Sequence, residues 1–298
     1  MTFEVFSSRV LVSGFVEAQT GLHIGTSASS LDPGITDNRV IRDAAGQPFI
    51  PGSSFKGSLR AHIERVLRAL GAPSEDLRKK WKCCDPLSEP CMSPDIYKKI
   101  RDETTEECEK DGETDHARFD KLLTTRILSE SCRVCKLFGS NYLSSHALIR
   151  DLFVDPDSWA NRIEVRDGVG IDRDTETARS SIKYDFEVVP ASTRFNFDIA
   201  VENADPDVLG LLALGLLEME RGRVPLGGKA TRGLGGVKLC VQRVEVVGPD
   251  DALSGLQGEG SQDLIDYLLT GSGRKLADPE CNDYLKLKAT ALFGKPKS

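Results

Sequence analysis

The residues with the clearest potential for chemistry lie in one glycine-rich segment, residues 221–238. Six of its eighteen residues are glycine, and five are basic, namely Arg221, Arg223, Lys229, Arg232 and Lys238. Glycine lets the backbone adopt positive φ and approach a bulky partner, while successive N–H groups can point into one concavity. Lys229 and Arg232 lie between the glycines and would attract the phosphates of a nucleic acid. The competing interpretation is a mobile turn between a helix and a strand.

A second candidate site is formed by cysteines, of which the chain has eight, six of them between residues 83 and 135. Cys132 and Cys135 form a C-x-x-C pair, whose tight turn lets two thiolates bind one ion. Cys84 and Cys91 can supply the other pair and close a structural four-thiolate zinc site. The alternative ligands are Cys83, Cys108 and His116. Unrelated buried thiols and a redox C-x-x-C compete with this interpretation, although no thioredoxin-like β-α-β pattern surrounds the motif.

Hydroxyl groups and cations also gather at the start of a predicted helix. The run from Ser53 to Arg60 includes Ser53, Ser54, Lys56 and Arg60. A helix N-terminus presents backbone N–H groups and the positive end of the helix dipole, which together favour phosphate. A well-capped helix with an exposed lysine and arginine is the alternative.

The polar loop at residues 26–38 carries two carboxylates, Asp32 and Asp37. A carboxylate beside bound RNA can hold a divalent ion or orient a 2′-hydroxyl for attack on the next phosphate. Without further context, an aspartate in such a loop is more often a turn residue than a catalytic one. The four histidines have no triad or H-E-x-x-H spacing, and no G-x-S-x-G, P-loop or Rossmann motif occurs. Acyl transfer, nucleotide hydrolysis and hydride transfer therefore have no support.

The charge of the chain is unevenly distributed. The formal net charge is −7, which by itself argues against a nucleic-acid partner. Residues 101–120 and 249–280 are strongly acidic, and the remainder has a net charge of +4. The remainder can therefore form a basic groove. No apolar run is long enough to span a bilayer and no signal sequence is recognised, so we expect a cytoplasmic protein without a membrane partner.

Hydrophobic periodicity predicts strands and helices around a polar insertion. The expected strands are residues 3–17, 147–154, 184–190, 194–199 and 237–241. The expected helices are residues 54–70, capped by Ser53-Ser54, and residues 206–220. Residues 72–131 are expected to form an insertion outside the core, and the tail after residue 248 to be peripheral with a weak helix near 261–269. This order predicts an α+β fold with an antiparallel sheet, of the ferredoxin-like or RNA-recognition-motif type.

Seven segments, each weak alone, resemble the RAMP superfamily of CRISPR-associated proteins in their order and spacing. They are Thr20–Gly25, Val40–Asp43, Ile50–Arg60, Cys132–Gly139, Gly170–Arg173, Phe186–Pro190 and the glycine-rich segment. The resemblance extends over about residues 8–245 and is greatest to the backbone subunit of type III effector complexes.

The resemblance implies a division of the chain and a set of partners. Its core would comprise residues 1–71 with 136–248, and the additions would be a zinc-binding finger insertion at 72–135, a thumb hairpin at 164–183 and a C-terminal extension at 249–298. Copies of the chain or related backbone subunits would assemble along a guide CRISPR RNA. Single-stranded target RNA would pair with that guide, and further effector-complex subunits would complete the particle.

The resemblance also implies roles for individual residues. Asp37 matches the target-cleaving aspartate, which would act with a divalent ion, expected to be magnesium, whereas Asp32 does not match. The guide-binding residues would be Ser53, Ser54, Lys56, Arg60, Gly227, Gly228, Lys229, Arg232, Gly233 and Gly235. The thumb would add Arg166 and Arg173. The insertion here is long and acidic, which leaves open the cysteines that complete the zinc site.

Three other functions remain open at this stage. The first is a backbone subunit that binds guide and target RNA without cutting. The second is an endonuclease that processes the precursor of the guide, with a general base such as His23. The third is a zinc-stabilised interaction module that binds no RNA.

Overall fold

The computed structural model describes residues 6–25, 38–110, 116–248 and 260–293 of this chain. Its strands are β1 (Arg9–Ala18), β2 (Phe49–Ile50), β3 (Ala147–Ile149), β4 (Leu152–Val154), β5 (Glu164–Ile171), β6 (Ala178–Val188), β7 (Arg194–Glu202), β8 (Val237–Val247) and β9 (Arg274–Ala277). Its helices are α1 (Gly52–Gly71), α2 (Glu75–Lys80), α3 (Pro94–Lys110), α4 (His116–Glu130), α5 (Arg133–Phe138), α6 (Pro206–Glu220), α7 (Gly260–Thr270) and α8 (Glu280–Phe293).

The main sheet is antiparallel and has seven strands. The order along it is β2-β4-β7-β1-β8-β9, and β3 also pairs with β7. In β1, Val10, Val12 and Val16 are buried and alternate with partly exposed residues. This period of two is what a pleated strand shows when one face is covered by the core. The predicted α+β fold with an antiparallel sheet is confirmed.

Helices α1 and α6 pack together on the buried face of the sheet. Phe55 of α1 stacks on Phe197 of β7, with ring centroids 6.3 Å apart. A Cβ atom at Gly215 of α6 would lie 2.7 Å from Leu59 Cδ1 and 2.8 Å from Ile63 Cδ1. The absence of a side chain at Gly215 therefore lets the two helices approach closely. Among the residues that the structure describes, no helix has the length and apolar character needed to cross a membrane.

Helix α1 begins two residues earlier than predicted. Pro51 precedes its first turn, and Ser53 and Ser54 lie within that turn without capping it. The Gly52 N–H donates instead to Asp151 Oδ1, at 2.8 Å.

The single strand predicted at residues 147–154 is in fact two short strands, β3 and β4, and Asp151 lies in the break between them. This break between the two strands has a structural role, because it places the Asp151 carboxylate where it accepts a hydrogen bond from an N–H group at the start of α1.

Strands β5 and β6 form a separate two-stranded hairpin. The expected hairpin at residues 164–183 and the expected strand at 184–190 are therefore parts of one unit. This hairpin joins the rest of the fold through Leu22 and Val189, whose backbones exchange hydrogen bonds of 2.9 and 2.8 Å.

The insertion is helical, and its helices pack around a small core that includes residues after α5. Met92, Ile100 and Ile127 are buried together with Leu143. Tyr97 stacks on Tyr142, with ring centroids 4.4 Å apart. Although residues 72–131 are mostly polar, α3 and α4 form a helical pair that buries one apolar stripe.

The C-terminal part packs on the core, so the expectation of a peripheral tail is wrong for residues 274–293. Strand β9 pairs with β8, with Leu276 opposite Val244. Helix α8 packs on α6, where a Cβ at Gly210 would lie 2.9 Å from the Lys288 carbonyl oxygen. The helix predicted near residues 261–269 is present as α7.

Candidate nucleic-acid interface and candidate zinc site

The glycine-rich segment is held on residues 20–23 by its own amides. The Gly228 N–H donates to the His23 carbonyl at 2.9 Å, and the Gly235 N–H donates to the Gly21 carbonyl at 2.9 Å. The Gly236 N–H donates to Thr20 Oγ1 at 3.0 Å. These bonds fix the segment on the neighbouring chain, which argues against an unattached mobile turn.

Two of its glycines are required by close backbone contacts. A Cβ at Gly227 would lie 2.3 Å from the His23 carbonyl oxygen, and one at Gly235 would lie 2.3 Å from the Leu226 carbonyl oxygen. Both residues also have positive φ, of 77° and 76°. No side chain fits these distances, so the glycine pattern seen in the sequence reflects a folded loop.

The two cations of the loop contact aromatic rings of β6. Lys229 Nζ lies 4.6 Å from the centroid of Phe186 and 5.6 Å from that of Tyr184. Arg232 Nη1 donates to the Tyr184 hydroxyl group. A cation over a ring face is attracted by the ring quadrupole, so the two rings hold Lys229 in place. Arg232 is held by its hydrogen bond to the Tyr184 hydroxyl group. The structure thus brings together Lys229 and Arg232 with two aromatic residues that the sequence reasoning missed.

A signal for these aromatic residues was present in the sequence. Tyr184, Phe186 and Val188 alternate with Asp185 and Glu187, which places the two rings on one face of a strand. Only the pairing of that strand with residues near the glycine-rich segment shows which face meets the loop.

Arg166 of the hairpin lies at the same surface. A Cβ at Gly21 would be 3.1 Å from Arg166 Nη2, which also pairs with Glu164 at 3.2 Å. Arg173 lies at the turn of the hairpin and is exposed. An open groove of about 430 Å³ runs beside the loop, lined by Thr20, Pro225, Ala230, Thr231, Gly233, Leu234 and Gly236.

The loop predicted to carry the catalytic carboxylate is attached next to this surface. Asp32 and Asp37 lie outside the described residues, so the role of Asp37 stays a prediction. On either side of these residues, Gly25 pairs with Val40, and the Asn38 carbonyl accepts the Glu187 N–H at 2.9 Å. The residue that follows Asp37 therefore lies against the strand that carries Phe186.

Glu187 is a buried residue whose carboxylate holds the segment that follows this loop, residues 40–42. Its Oε2 accepts the Val40 N–H at 3.0 Å, and its Oε1 accepts Arg42 Nη2 at 2.7 Å. A buried charge needs such partners to offset its desolvation. Arg42 and Glu187 therefore anchor the segment after Asn38 to the hairpin.

His23 is a structural residue in this arrangement. Its ring is buried, and Nδ1 lies 2.7 Å from the Glu187 carbonyl oxygen. A carbonyl oxygen can only accept, so Nδ1 carries the proton. Burial and this bond weigh against His23 as the general base that a precursor-processing endonuclease would need.

The predicted phosphate-binding site at the start of α1 lies on a different element from the glycine-rich segment and the hairpin. Ser53 is exposed, and Ser54 and Lys56 are partly exposed. Burial, and then the charge of Arg60, lower the pKa of Lys56 below its usual value. Arg60 itself points inward, and its Nη1 donates to the Gly139 carbonyl at 3.1 Å.

The four predicted zinc ligands lie together, and we call them the cysteine cluster. It consists of Cys84, Cys91, Cys132 and Cys135, whose sulfur atoms all lie within 4.8 Å of one another. Cys84 Sγ lies 3.4 Å from Cys135 Sγ and 3.9 Å from Cys132 Sγ. A tetrahedral ion with Zn–S bonds of about 2.3 Å separates its sulfur ligands by about 3.8 Å. The arrangement therefore fits structural zinc and argues against four unrelated thiols.

The alternative ligands lie outside the cysteine cluster. Burial, the largest cause, raises the pKa of Cys83 to about 12, and its sulfur atom is not part of the group of four that lie within 4.8 Å of one another. Cys108 lies on α3 and His116 at the start of α4. Within the described parts of the chain, the cysteine cluster is the sole group of three or more acidic, His or Cys side chains close enough to share an ion.

Comparison with known proteins agrees with this description. A model of the RAMP superfamily matches residues 15–238. The CRISPR system Cms endoribonuclease Csm3 of Methanocaldococcus jannaschii is 27% identical over 77% of this chain and 78% of its own length. The protein of the same name from Methanothermobacter thermautotrophicus is 28% identical over 78% and 84%, and that from Enterococcus italicus is 23% identical over 80% and 94%. The family match spans most of the chain and includes the hairpin and the whole glycine-rich segment, and we conclude that the chain belongs to the RAMP superfamily.

Proposed function

We propose that this protein is a guide-RNA-binding backbone subunit of a type III CRISPR effector complex that cleaves the target RNA paired with the guide. The observation that carries the proposal is the surface where Lys229 lies over the rings of Tyr184 and Phe186 and Arg232 donates to the Tyr184 hydroxyl group, beside Asn38. Three relatives that share most of their length with this chain are named as CRISPR endoribonucleases. Its partners are a guide CRISPR RNA, single-stranded target RNA, further copies or related backbone subunits, and other subunits of the complex.

The proposed RNA surface is suited to binding without sequence preference. Cations of the glycine-rich segment supply charge for phosphates, and aromatic rings beside them offer faces on which bases can stack. A subunit that holds any guide needs contacts to phosphate and sugar more than to base edges. The residues that we propose to contact RNA are Arg166, Arg173, Gly227, Gly228, Lys229, Arg232, Gly233 and Gly235 in the hairpin and the glycine-rich segment, and Ser53, Ser54 and Lys56 at the start of α1.

The core is proposed to be a ferredoxin-like, RNA-recognition-motif fold. The order β4-β7-β1-β8 places the first strand beside the third and the fourth, with α1 and α6 as the two crossover helices. This is the strand order of a split β-α-β unit. The insertion would act as a finger and the β5–β6 hairpin as a thumb that separates stretches of the guide–target duplex.

Cleavage is assigned to Asp37. The chain that follows it is anchored at Asn38 and Val40 on the strand that carries Phe186 and Glu187. Such anchoring would hold the end of the loop beside bound RNA. A divalent ion, which we take to be magnesium, would supply Lewis-acid stabilisation of the charge that develops on the phosphate. The carboxylate would orient the 2′-hydroxyl of the target for attack on the adjacent phosphate. The bond from phosphorus to the 5′-oxygen of the next nucleotide would break, leaving a cyclic phosphate on one fragment and a 5′-hydroxyl, which takes up a proton, on the other.

Zinc in the cysteine cluster would have a structural role. Cys84 and Cys91 belong to the start of the insertion, and Cys132 and Cys135 belong to its return into α5. A four-thiolate site closes both ends of a long acidic insertion on one ion. Metal binding of this kind contributes directly to the free energy of folding.

The test is target-RNA cleavage by the reconstituted complex. Wild type, Asp37→Ala and the control Asp32→Ala are compared with magnesium and with a chelator. We expect regularly spaced cuts from wild type and Asp32→Ala, and none from Asp37→Ala or in chelator. Unchanged cutting by Asp37→Ala would overturn the assignment of Asp37.

Two other results would replace the proposal. Intact RNA binding without cutting by any of the three proteins would identify a scaffold subunit. Cutting of precursor guide RNA by the isolated chain would identify a processing endonuclease.

A further inference from the structure

The family resemblance predicts that Arg60 binds RNA, but its guanidinium group makes its contacts within the protein. Nε donates to Glu64 Oε1 at 2.8 Å, Nη1 to the Gly139 carbonyl at 3.1 Å, and Nη2 faces Cys135 Sγ at 3.7 Å. Only 19% of its side chain is exposed. All three nitrogen atoms of the fork therefore have partners in the fold, and one partner belongs to the cysteine cluster.

The same face of α1 reaches the other half of the cysteine cluster. Arg68, two turns further along the helix, donates through Nη2 to the Cys84 carbonyl at 3.2 Å. Glu64 lies between the two arginines and accepts Arg60 at 2.8 Å and Arg68 at 3.4 Å. Arg60, Glu64 and Arg68 thus form a ladder that joins α1 to both sides of the insertion.

The charge of the proposed ion site explains why arginine suits this place. Four thiolates and one Zn²⁺ ion carry a net charge of −2, and Cys132 and Cys135 are buried. A buried negative charge needs a compensating cation or hydrogen-bond donor. The Arg60 fork provides a charge-assisted donor to one sulfur and is held in place by two further bonds.

We propose that Arg60 is a positioning residue of the zinc site, which stabilises the Cys135 thiolate, and that it does not contact RNA. The inference depends on zinc in the cysteine cluster and not on target cleavage by Asp37. Outer partners of metal ligands alter metal affinity by about 10-fold to 100-fold when they are removed. We expect zinc to leave the Arg60→Ala protein faster than wild type by a factor in that range.

The experiment compares wild type, Arg60→Ala, Arg60→Lys and Arg65→Ala as full-length, zinc-loaded proteins. Arg65 lies on the same helix but contacts His62 Nδ1, at 2.9 Å, and not a cysteine. Zinc transfer to a chromogenic chelator gives the release rate, and the thiolate-to-metal absorption of the Co²⁺ form reports on the sulfur ligands. The salt dependence of guide-RNA binding is measured on the same samples.

The inference predicts fast release from Arg60→Ala, intermediate release from Arg60→Lys and wild-type release from Arg65→Ala. A lysine keeps the charge but cannot reproduce the three-bonded fork. The slope of RNA affinity against salt should stay that of wild type. Circular dichroism verifies that each variant folds. If Arg60→Ala does not fold, the rate of zinc release from Arg60→Lys tests the inference by itself.

Three results would overturn the inference. One is wild-type zinc release from the folded Arg60 variants. Another is a salt slope reduced by about one unit, which would mark Arg60 as a phosphate contact. The third is a wild-type protein that contains no zinc, and this last result would leave the proposal of target cleavage by Asp37 untouched.

Discussion

The ammonium group of Lys229 lies 4.6 Å from the centre of the Phe186 ring. This contact joins the glycine-rich segment to the hairpin, two parts of the chain separated by strand β7 and helix α6. Cation–π contacts of this kind contribute about 0.5–2 kcal/mol. The contact orients a basic loop while leaving charge available at the surface, which is what a phosphate-binding groove requires.

Replacing Lys229 by alanine should weaken RNA binding by the assembled complex. Loss of one phosphate contact is expected to reduce affinity about threefold to tenfold. The slope of log affinity against log salt should also fall by about one unit. Fluorescence anisotropy with labelled RNA over a range of salt concentrations measures both quantities. Lys99→Ala, on an exposed site of α3, is the control and should change neither.

Replacing Gly227 by alanine should displace the glycine-rich segment. The new Cβ would lie 2.3 Å from the His23 carbonyl oxygen at a residue with a φ of 77°. We expect a loss of about 2–3 kcal/mol in the free energy of unfolding, together with weaker RNA binding. Urea denaturation measures the first effect.

Gly46→Ala is the matched control for this substitution. Gly46 also has a φ of 77°, but no atom lies within 4 Å of the position that a Cβ would occupy there. It should cost about 1 kcal/mol and leave RNA binding intact. Equal losses from Gly227→Ala and Gly46→Ala would contradict the close contact at His23.

Replacing a ligand of the cysteine cluster should abolish zinc binding. Cys84→Ser and Cys132→Ser each remove one of four sulfur atoms, and the zinc content should fall from about one ion per chain to nearly none. Elemental analysis of the purified protein measures this ratio. Cys240 is exposed and outside the cluster, so Cys240→Ser should keep its zinc. Zinc retained by both ligand variants would contradict the site.

Glu218 should make stability depend on pH below neutrality. Burial, the largest single cause, raises the pKa of Glu218. The hydrogen bond from Arg221 and the charge of Arg223 lower it, and together they outweigh burial, so the pKa lies below the usual 4.5. A lowered pKa in the folded state stabilises the protein above the unfolded pKa, and this stabilisation is lost as pH falls through the folded value.

The Glu218→Gln variant isolates this contribution. It should be less stable than wild type by about 1–2 kcal/mol at pH 7, because Arg221 and Arg223 lose a charged partner. The difference should shrink as pH falls below about 4.5. Urea denaturation at several pH values measures it, with the exposed Glu75→Gln as control. A difference that stays constant down to pH 3 would count against this role of Glu218.

Local patterns in the sequence were sufficient for the main strands and the two central helices of the core, but not for the helices of the insertion. The apolar stripe of residues 54–70 predicted α1, the apolar run at 206–220 predicted α6, and the α+β class followed from their order. The C-x-x-C motif and Cys84 and Cys91 predicted the cysteine cluster. Helical and strand periodicity and the C-x-x-C turn are local signals, because they depend on neighbouring residues. The two cysteine pairs lie far apart in the sequence, and it was the chemistry of a four-thiolate site that joined them in the prediction.

Other features were decided only in the tertiary structure. The bond from Gly52 to Asp151, the pairing of β9 with β8 and the hydrogen bond from Arg232 to Tyr184 each join residues that are distant in the sequence. Composition assigned residues 249–298 to a peripheral tail, although Tyr284 and Leu285 are buried.

Arg60 shows the same limit at a single residue. The sequence determines that an arginine stands one turn after Lys56 on a helix, and the family resemblance assigns it to RNA. Only the packing of α1 against α5 places its guanidinium beside Cys135. The direction of a long side chain depends on the charges that surround it in the folded protein, and those charges come from segments that the sequence keeps far apart.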